Sequence, residues 1–215
     1  MPELVFDKYE QRGAYHWEWY ASNRHHYADN VNFVIDNLPP SGTVLDIGGG
    51  DGLISYRMFR QGLSVTCIDT NARAIELASQ QLEYEIYGRN STLRRFRKLA
   101  SYVGFFKTDT LARYEEGQIR FETKSVFELS VESQFDYVVC HEVIEHVPNP
   151  QELLQIIHRL IRSYAIISTP DTTNHPPHKL DYHSWTPDTF SELLSPYRFE
   201  FIKQDGSSMY VKLFK

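Results

Sequence analysis

Cysteine is scarce in this chain, with two in 215 residues, so a disulfide framework is excluded as the source of its stability. Cys67 falls in one expected core strand and Cys140 at the end of another. Both read as small buried hydrophobes in a reducing compartment, and a cytoplasmic protein is expected. Long hydrophobic runs are missing too. No stretch approaches the ~20 apolar residues that span a bilayer, and MPELVFDKYEQRG at the N-terminus lacks the apolar centre of a signal peptide. Basic charge is not in excess: the net charge of -6 argues against a generally basic nucleic-acid binder, while leaving room for a local basic patch. There is no internal repeat and no low-complexity segment. The length suits one domain with a full core.

What is present is a strand-and-helix alternation, which argues for a parallel sheet covered on both faces. Strands are expected at Thr43–Ile47, Leu63–Ile68, Gln118–Thr123, Phe135–Cys140 and Tyr164–Ser168, and a closing antiparallel pair at Arg198–Gln204 and Ser208–Phe214. Helices are expected at Leu53–Gln61, Ala72–Leu82, Pro150–Arg162 and Thr186–Leu194. Gly62 is placed to end the first of these, and Pro187 sits in a tolerated first-turn position.

The stretch VLDIGGGDG, Val44 to Gly52, joins the first strand to its helix, and CIDTN, Cys67 to Asn71, ends the second strand on an acid. Such a turn and acid hold an adenosine-containing cofactor in an α/β sheet. A dinucleotide fingerprint reads G-x-G-x-x-G and seats a pyrophosphate at the helix N-terminus. Here Gly48, Gly50 and Gly52 are followed by Leu53, which breaks that spacing. Asp46 stands just before the turn, where a carboxylate repels a pyrophosphate but suits a cationic amino group and a sulfonium.

From about Leu38 onward the chain resembles the class I S-adenosylmethionine (SAM)-dependent methyltransferases. The resemblance implies a Rossmann-like seven-stranded α/β sheet of order 3-2-1-4-5-7-6, with the seventh strand antiparallel. It implies SAM as cofactor, bound by Asp46, Gly48, Gly50, Asp69, Thr70, Asn71, Ser125, Val126 and His141. Asp46 would hold the amino group, directly or through water, and Asp69 the two ribose hydroxyls, since a carboxylate offers two acceptor oxygens. Thr70 and Asn71 would lie near adenine, with Val126 and Phe127 flanking the ring. Most relatives carry an acid where Ser125 stands. His141 would approach the transferred methyl. The alternative for the glycines is a plain strand-to-helix turn.

CHEVIEHVPNP, Cys140 to Pro150, spaces Glu142, Glu145 and His146 at i, i+3 and i+4, one face if the turn is helical. The later loop STPDTTNHPPHKLDYHSWT carries His175, His178 and His183. Two carboxylates with one or two histidines suit Mg, Mn or Zn, so Glu142, Glu145, His146 and His183 are the candidate metal set. His146, Glu142 and His183 are the candidate catalytic residues. The alternative is that Glu145 and His146 merely brace the element under the site. Two families share the stretch. The ubiquinone-biosynthesis O-methyltransferases have a similar E-x-x-E-H-V-P. The small-RNA 3′-terminal 2′-O-methyltransferases hold a metal with E-x-x-E-H and a downstream histidine, usually four residues before the tryptophan, where this chain has Asp181. No Asn/Asp-Pro-Pro-Tyr stretch follows the fourth strand, against base-amino and glutamine N-methylation. The expected function is methyl transfer to an oxygen of a small-molecule acceptor. The rivals are a metal-dependent RNA 2′-O-methyltransferase and a SAM-binding partner subunit without turnover.

Two segments are additional. Residues 1–40 form an N-terminal helical arm, read either as packing on the sheet edge or as a lid. Residues 41–215 form the main domain, with a helical insert at about 84–116. Within that insert, Gly88 to Lys107 carries six basic residues and no acid, with Leu93, Phe96, Leu99, Ala100, Val103 and Phe106 at helical steps. A docked helix with a solvated basic face is the plain reading. A lid or dimer contact, or a membrane-surface or RNA contact through Arg94, Arg95, Arg97 and Lys98, are the others.

Overall fold

A computed structural model describes residues 8–87, 118–130, 132–174 and 176–215. The basic helix expected at 88–107, most of the 84–116 insert, and His175 lie outside the described residues. The strands are β1 (Thr43–Ile47), β2 (Ser64–Asp69), β3 (Ile119–Thr123), β4 (Phe135–His141), β5 (Ile161–Pro170), β6 (Phe199–Gln204) and β7 (Ser208–Phe214). They form one sheet of order β3-β2-β1-β4-β5-β7-β6, in which β7 runs antiparallel to both β5 and β6. This is the expected seven-stranded arrangement. The chain winds outward from β1 through β2 to β3, then crosses back to β4 on the other side of β1. That reversal opens a crevice at the C-terminal ends of β1 and β4.

Strand side chains alternate between the two faces, so each strand feeds two cores. On one face Leu45, Ile47, Val138, Cys140, Ala165 and Ile167 pack with Leu153, Leu154, Ile157 and Leu160 of α6 (Pro150–Leu160), and with Phe190 and Leu194 of α7 (Pro187–Leu194). On the other, Val44, Val65, Val139, Ile166 and Tyr210 meet Val31 and Val34 of α3 (Tyr27–Asp36), and Leu53 and Met58 of α4 (Leu53–Gln61). Leu82 and Ile86 of α5 (Ala72–Tyr87) join the second core.

Local chemistry sets the helix ends. Asn149 caps α6 by accepting the Glu152 backbone N–H, and Thr186 caps α7 ahead of Pro187. Gly62 closes α4 in a left-handed conformation, its N–H on the Met58 and Phe59 carbonyls. Two boundaries differ from expectation. The helix expected to reach Arg162 stops at Leu160, because Ile161 turns extended and pairs with Phe135 of β4. The helix expected to stop at Leu82 runs on to Tyr87, keeping Ile86 in the same buried stripe.

The N-terminal arm holds α1 (Lys8–Arg12) and α2 (Tyr15–Ser22) ahead of α3. Between α2 and α3 lies a short 3₁₀ turn flanked by left-handed Asn23 and His26, with His25 left-handed within it. Among the described residues no helix is long and apolar enough to cross a membrane.

Candidate active site

One cavity of about 810 Å³ occupies the crevice. Asp46, Gly48, Gly50, Asp69, Thr70, Asn71, Ser125, Val126 and His141 all line it, as do Glu142, Glu145 and His146. His183 is absent from the lining.

The floor is the β1 turn. Gly48 and Gly50 have φ of +66° and +57°, where an L side chain is strained. A Cβ on Gly48 would stand 2.5 Å from Val143 Cγ2, and one on Gly50 would stand 2.2 Å from the Tyr9 hydroxyl. Both the backbone geometry and the space therefore demand glycine. Asp46 lies beneath this turn, 1% exposed, accepting a 2.6 Å hydrogen bond from the Ser55 hydroxyl. Burial pushes its carboxyl up to about 7, against the pull of the Ser55 bond.

Asp69 ends β2 at the cavity edge. Its Oδ2 accepts the Gly50 N–H at 2.9 Å and its Oδ1 the Asn71 N–H at 2.8 Å. Each oxygen keeps a second lone pair for a ligand. Burial raises this carboxyl as well, opposed by the two backbone donors. Ser125 spends its hydroxyl on capping, accepting the Phe127 N–H, while Glu128 accepts the Ser125 N–H.

The far wall departs from expectation. Glu142, Glu145 and His146 do not share a helical face. Glu142 is left-handed at φ +54°, and the helical turn that follows is a 3₁₀ turn of three residues, Ile144–His146. A non-glycine residue held there is a strained position of the kind that clusters at functional sites. Ser168 fixes it: the hydroxyl donates to Glu142 Oε1 at 3.1 Å, accepts the Glu142 N–H at 3.1 Å, and lies 2.6 Å from His141 Nδ1. Glu145 is 2% exposed and accepts from the Thr169 hydroxyl at 3.2 Å. Burial raises both glutamates; the Asp181 and Asp205 charges push Glu142 further up, and the Glu142 and Asp181 charges do the same to Glu145.

His146 Nδ1 lies 3.1 Å from the Leu180 carbonyl and 3.3 Å from Asp181 Oδ1. A carbonyl only accepts, so the proton sits on Nδ1 and Nε2 is the accepting atom. Burial lowers the ring below its ordinary range. His183 turns elsewhere. Its Nε2 is 3.1 Å from the Pro148 carbonyl and its ring stacks on Trp185 at 5.5 Å. The candidate metal set of Glu142, Glu145, His146 and His183 is therefore not assembled. Among the described residues no group of three or more His, Cys, Asp or Glu is placed to hold a metal ion. A divalent cation does not fit the donors present among the described residues.

Residues 19–205 match a family model described as a methyltransferase domain. The chain belongs to that family. Curated relatives of this methyltransferase domain include ubiquinone biosynthesis O-methyltransferases. The one from Pseudomonas paraeruginosa is 30% identical over 133 residues, 61% of this chain and 45% of the relative. The one from Xanthomonas axonopodis is 30% identical over 135 residues, 61% of this chain and 44% of the relative. The match thus spans less than half of either relative. Among solved structures, the magnesium protoporphyrin IX methyltransferase of Synechocystis with bound SAM superposes at a TM-score of 0.63 with 18% identity, covering 97% of this chain and 94% of that one. Human N-acetylserotonin methyltransferase in complex with SAM gives 0.63 at 16% identity, covering all of this chain and 60% of that one. These likenesses establish a shared fold.

Several lining residues carried no signal in the sequence. Asp51 sits inside the glycine turn at 0% exposure and accepts the His16 backbone N–H at 3.0 Å. Tyr9, Tyr15, His16, Trp19 and Tyr27 of the arm line the cavity together. Nothing in the sequence says which residues of the arm would face inward. Phe127 and Tyr182 also line the cavity, and both are exposed.

Proposed function

We propose that this chain is a SAM-dependent methyltransferase acting on an oxygen of a small-molecule acceptor. The observation that carries the reading is the charge of the cavity. Six acids line it, Asp46, Asp51, Asp69, Glu142, Glu145 and Asp181, against two lysines, Lys8 and Lys124. Such a lining opposes a pyrophosphate and favours a ligand with an amino group and a sulfonium. The glycine cradle and the Asp69 oxygens supply the close approach and the diol acceptors that an adenosine needs. The ubiquinone biosynthesis relatives support the choice of oxygen.

When bound, SAM supplies an activated methyl group for in-line displacement. Asp69 accepts the ribose hydroxyls. Asp46 takes the amino group from below the turn. Its carboxyl, raised by burial, ionises readily beside such a cation. Val126 and Phe127 flank the adenine. On the acceptor side His146 has the chemistry of a general base: Nδ1–H is spent on Leu180, so Nε2 takes the hydroxyl proton as the new carbon–oxygen bond forms. Glu142 and Glu145, both raised chiefly by burial, hold a proton toward neutrality and orient the hydroxyl by hydrogen bonding. The arm aromatics exclude water and present flat apolar surface to the acceptor.

The test uses methyl-labelled SAM with purified protein and a lysate separated into RNA, lipid and polar-metabolite fractions. Label in lipid or polar metabolites supports the reading. Nuclease-sensitive label overturns the choice of acceptor. Absence of S-adenosylhomocysteine (SAH) formation with every fraction overturns the activity.

A further inference from the structure

The cavity is rich in carboxylates, yet the cofactor proposed for it carries a carboxylate of its own. Something must meet that anion near the glycine turn. Lys124 is at the ribose end, its N–H on the Asp69 carbonyl. Lys8 is at the acceptor end, within electrostatic reach of Asp181. His141 has a hydroxyl, Ser168, as its Nδ1 partner.

His16 is different. Its Nδ1 lies 3.2 Å from Oδ1 of Asp51, whose side chain is 1% exposed. That oxygen has no donor at hydrogen-bond angles, although the ring nitrogen is within reach, so a small ring rotation completes the pair. The ring is held over the turn: its Cε1 stands 3.6 Å from where a Gly50 Cβ would be. It stacks on Tyr27 at 5.2 Å and 14°. With Nδ1 turned to Asp51, Nε2 is left for the cavity that His16 lines.

We propose that the Asp51–His16 pair is the anion subsite of this cavity, where His16 Nε2–H donates to the α-carboxylate of SAM. The proposal rests on the reading of the cavity as a SAM site. Between Asp51 on one nitrogen and the ligand carboxylate on the other, the ring carries both protons and makes two charge-assisted hydrogen bonds. Asp51 is the positioning residue, acting through His16.

The test compares SAM with decarboxylated SAM, which keeps the sulfonium, amine and adenosine and lacks only the carboxylate. Titration calorimetry is run on the wild-type chain, His16→Gln and Asp51→Asn. His16→Gln keeps the backbone N–H bond to Asp51 Oδ2 and the Trp17 indole bond to the Asp51 carbonyl, so the arm stays anchored. The expected result is a loss of about tenfold or more for SAM in both variants, the range for a bond to a charged group. Decarboxylated SAM should bind all three proteins within about twofold, because the lost partner is absent from it. Equal losses on both ligands would show that His16 only holds the arm, and overturn the proposal. Unchanged SAM affinity would overturn it too. Failure of the wild-type chain to bind either ligand would instead remove the cofactor reading on which it rests.

Discussion

Replacing Asp46 by asparagine should stabilise the ligand-free protein, and by an amount that depends on pH. Asp46 is 1% exposed, and burial lifts its carboxyl from 3.8 to about 7. A raised carboxyl favours folding only while it is protonated. As pH climbs past the unfolded value the denatured chain ionises freely and the folded chain does not, so stability is lost from about pH 4 until the folded value is passed near pH 7. A rise from 3.8 to about 7 corresponds to about 4 kcal/mol at the plateau. Asparagine keeps an oxygen for the Ser55 hydroxyl and cannot ionise. Its advantage over aspartate should therefore grow by about 3–4 kcal/mol between pH 4 and pH 7, then level off. At ~2–4 °C per kcal/mol for a domain of this size, the melting temperatures should diverge by on the order of 10 °C. Any constant cost of the new amide shifts the whole curve and leaves its slope alone. Thermal melts of both proteins from pH 4 to pH 8 read the difference directly. Parallel curves would refute the claim that Asp46 is a dry carboxyl poised for a cationic ligand. The same substitution should weaken SAM binding, a trade of function for stability.

Gly48→Ala forces a left-handed alanine against Val143 Cγ2. It should cost about 1–3 kcal/mol in denaturant melts and reduce SAH affinity more than tenfold. His146→Asn keeps a donor for the Leu180 carbonyl and removes the base. Turnover should fall by about 10²–10⁴-fold with the KM for SAM nearly unchanged, as initial rates would show. Because the candidate donors do not converge on a cation, EDTA dialysis should leave turnover intact. Loss that Mg or Mn restores would contradict the site geometry.

The sheet was legible because its signals are local. The β7 boundaries, and those of β1 and α4, follow from alternation and from Gly62, and burial on two faces leaves little freedom in register. That Asp46, Gly48, Gly50 and Asp69 would meet at one crevice was legible because a strand, a glycine turn and a terminal acid recur at short range. What escaped was set by distant contacts. Ile161 reads as helix in its own neighbourhood but is claimed by β4. The shared face of Glu142, Glu145 and His146 presumed a helix, which the left-handed Glu142 breaks as its N–H and carboxylate both turn to Ser168. His183 looked like a ligand by type, yet its backbone N–H is drawn to the Glu145 carbonyl and its ring faces Pro148. The Asp51–His16 contact spans 35 residues, and nothing in either local pattern announces it.

The central claim is that the crevice beyond β1 and β4 is an adenosine-cofactor site read by Asp69. Calorimetric titration of SAH into the wild-type chain and into Asp69→Asn tests it most directly. The amide keeps the shape of the side chain but removes its charge and one of its two acceptor oxygens. The account predicts one-to-one binding by the wild-type chain and a loss of about tenfold or more in the variant, the scale of a charge-assisted bond to the ribose. No binding by the wild-type chain, or equal binding by both proteins, would contradict it.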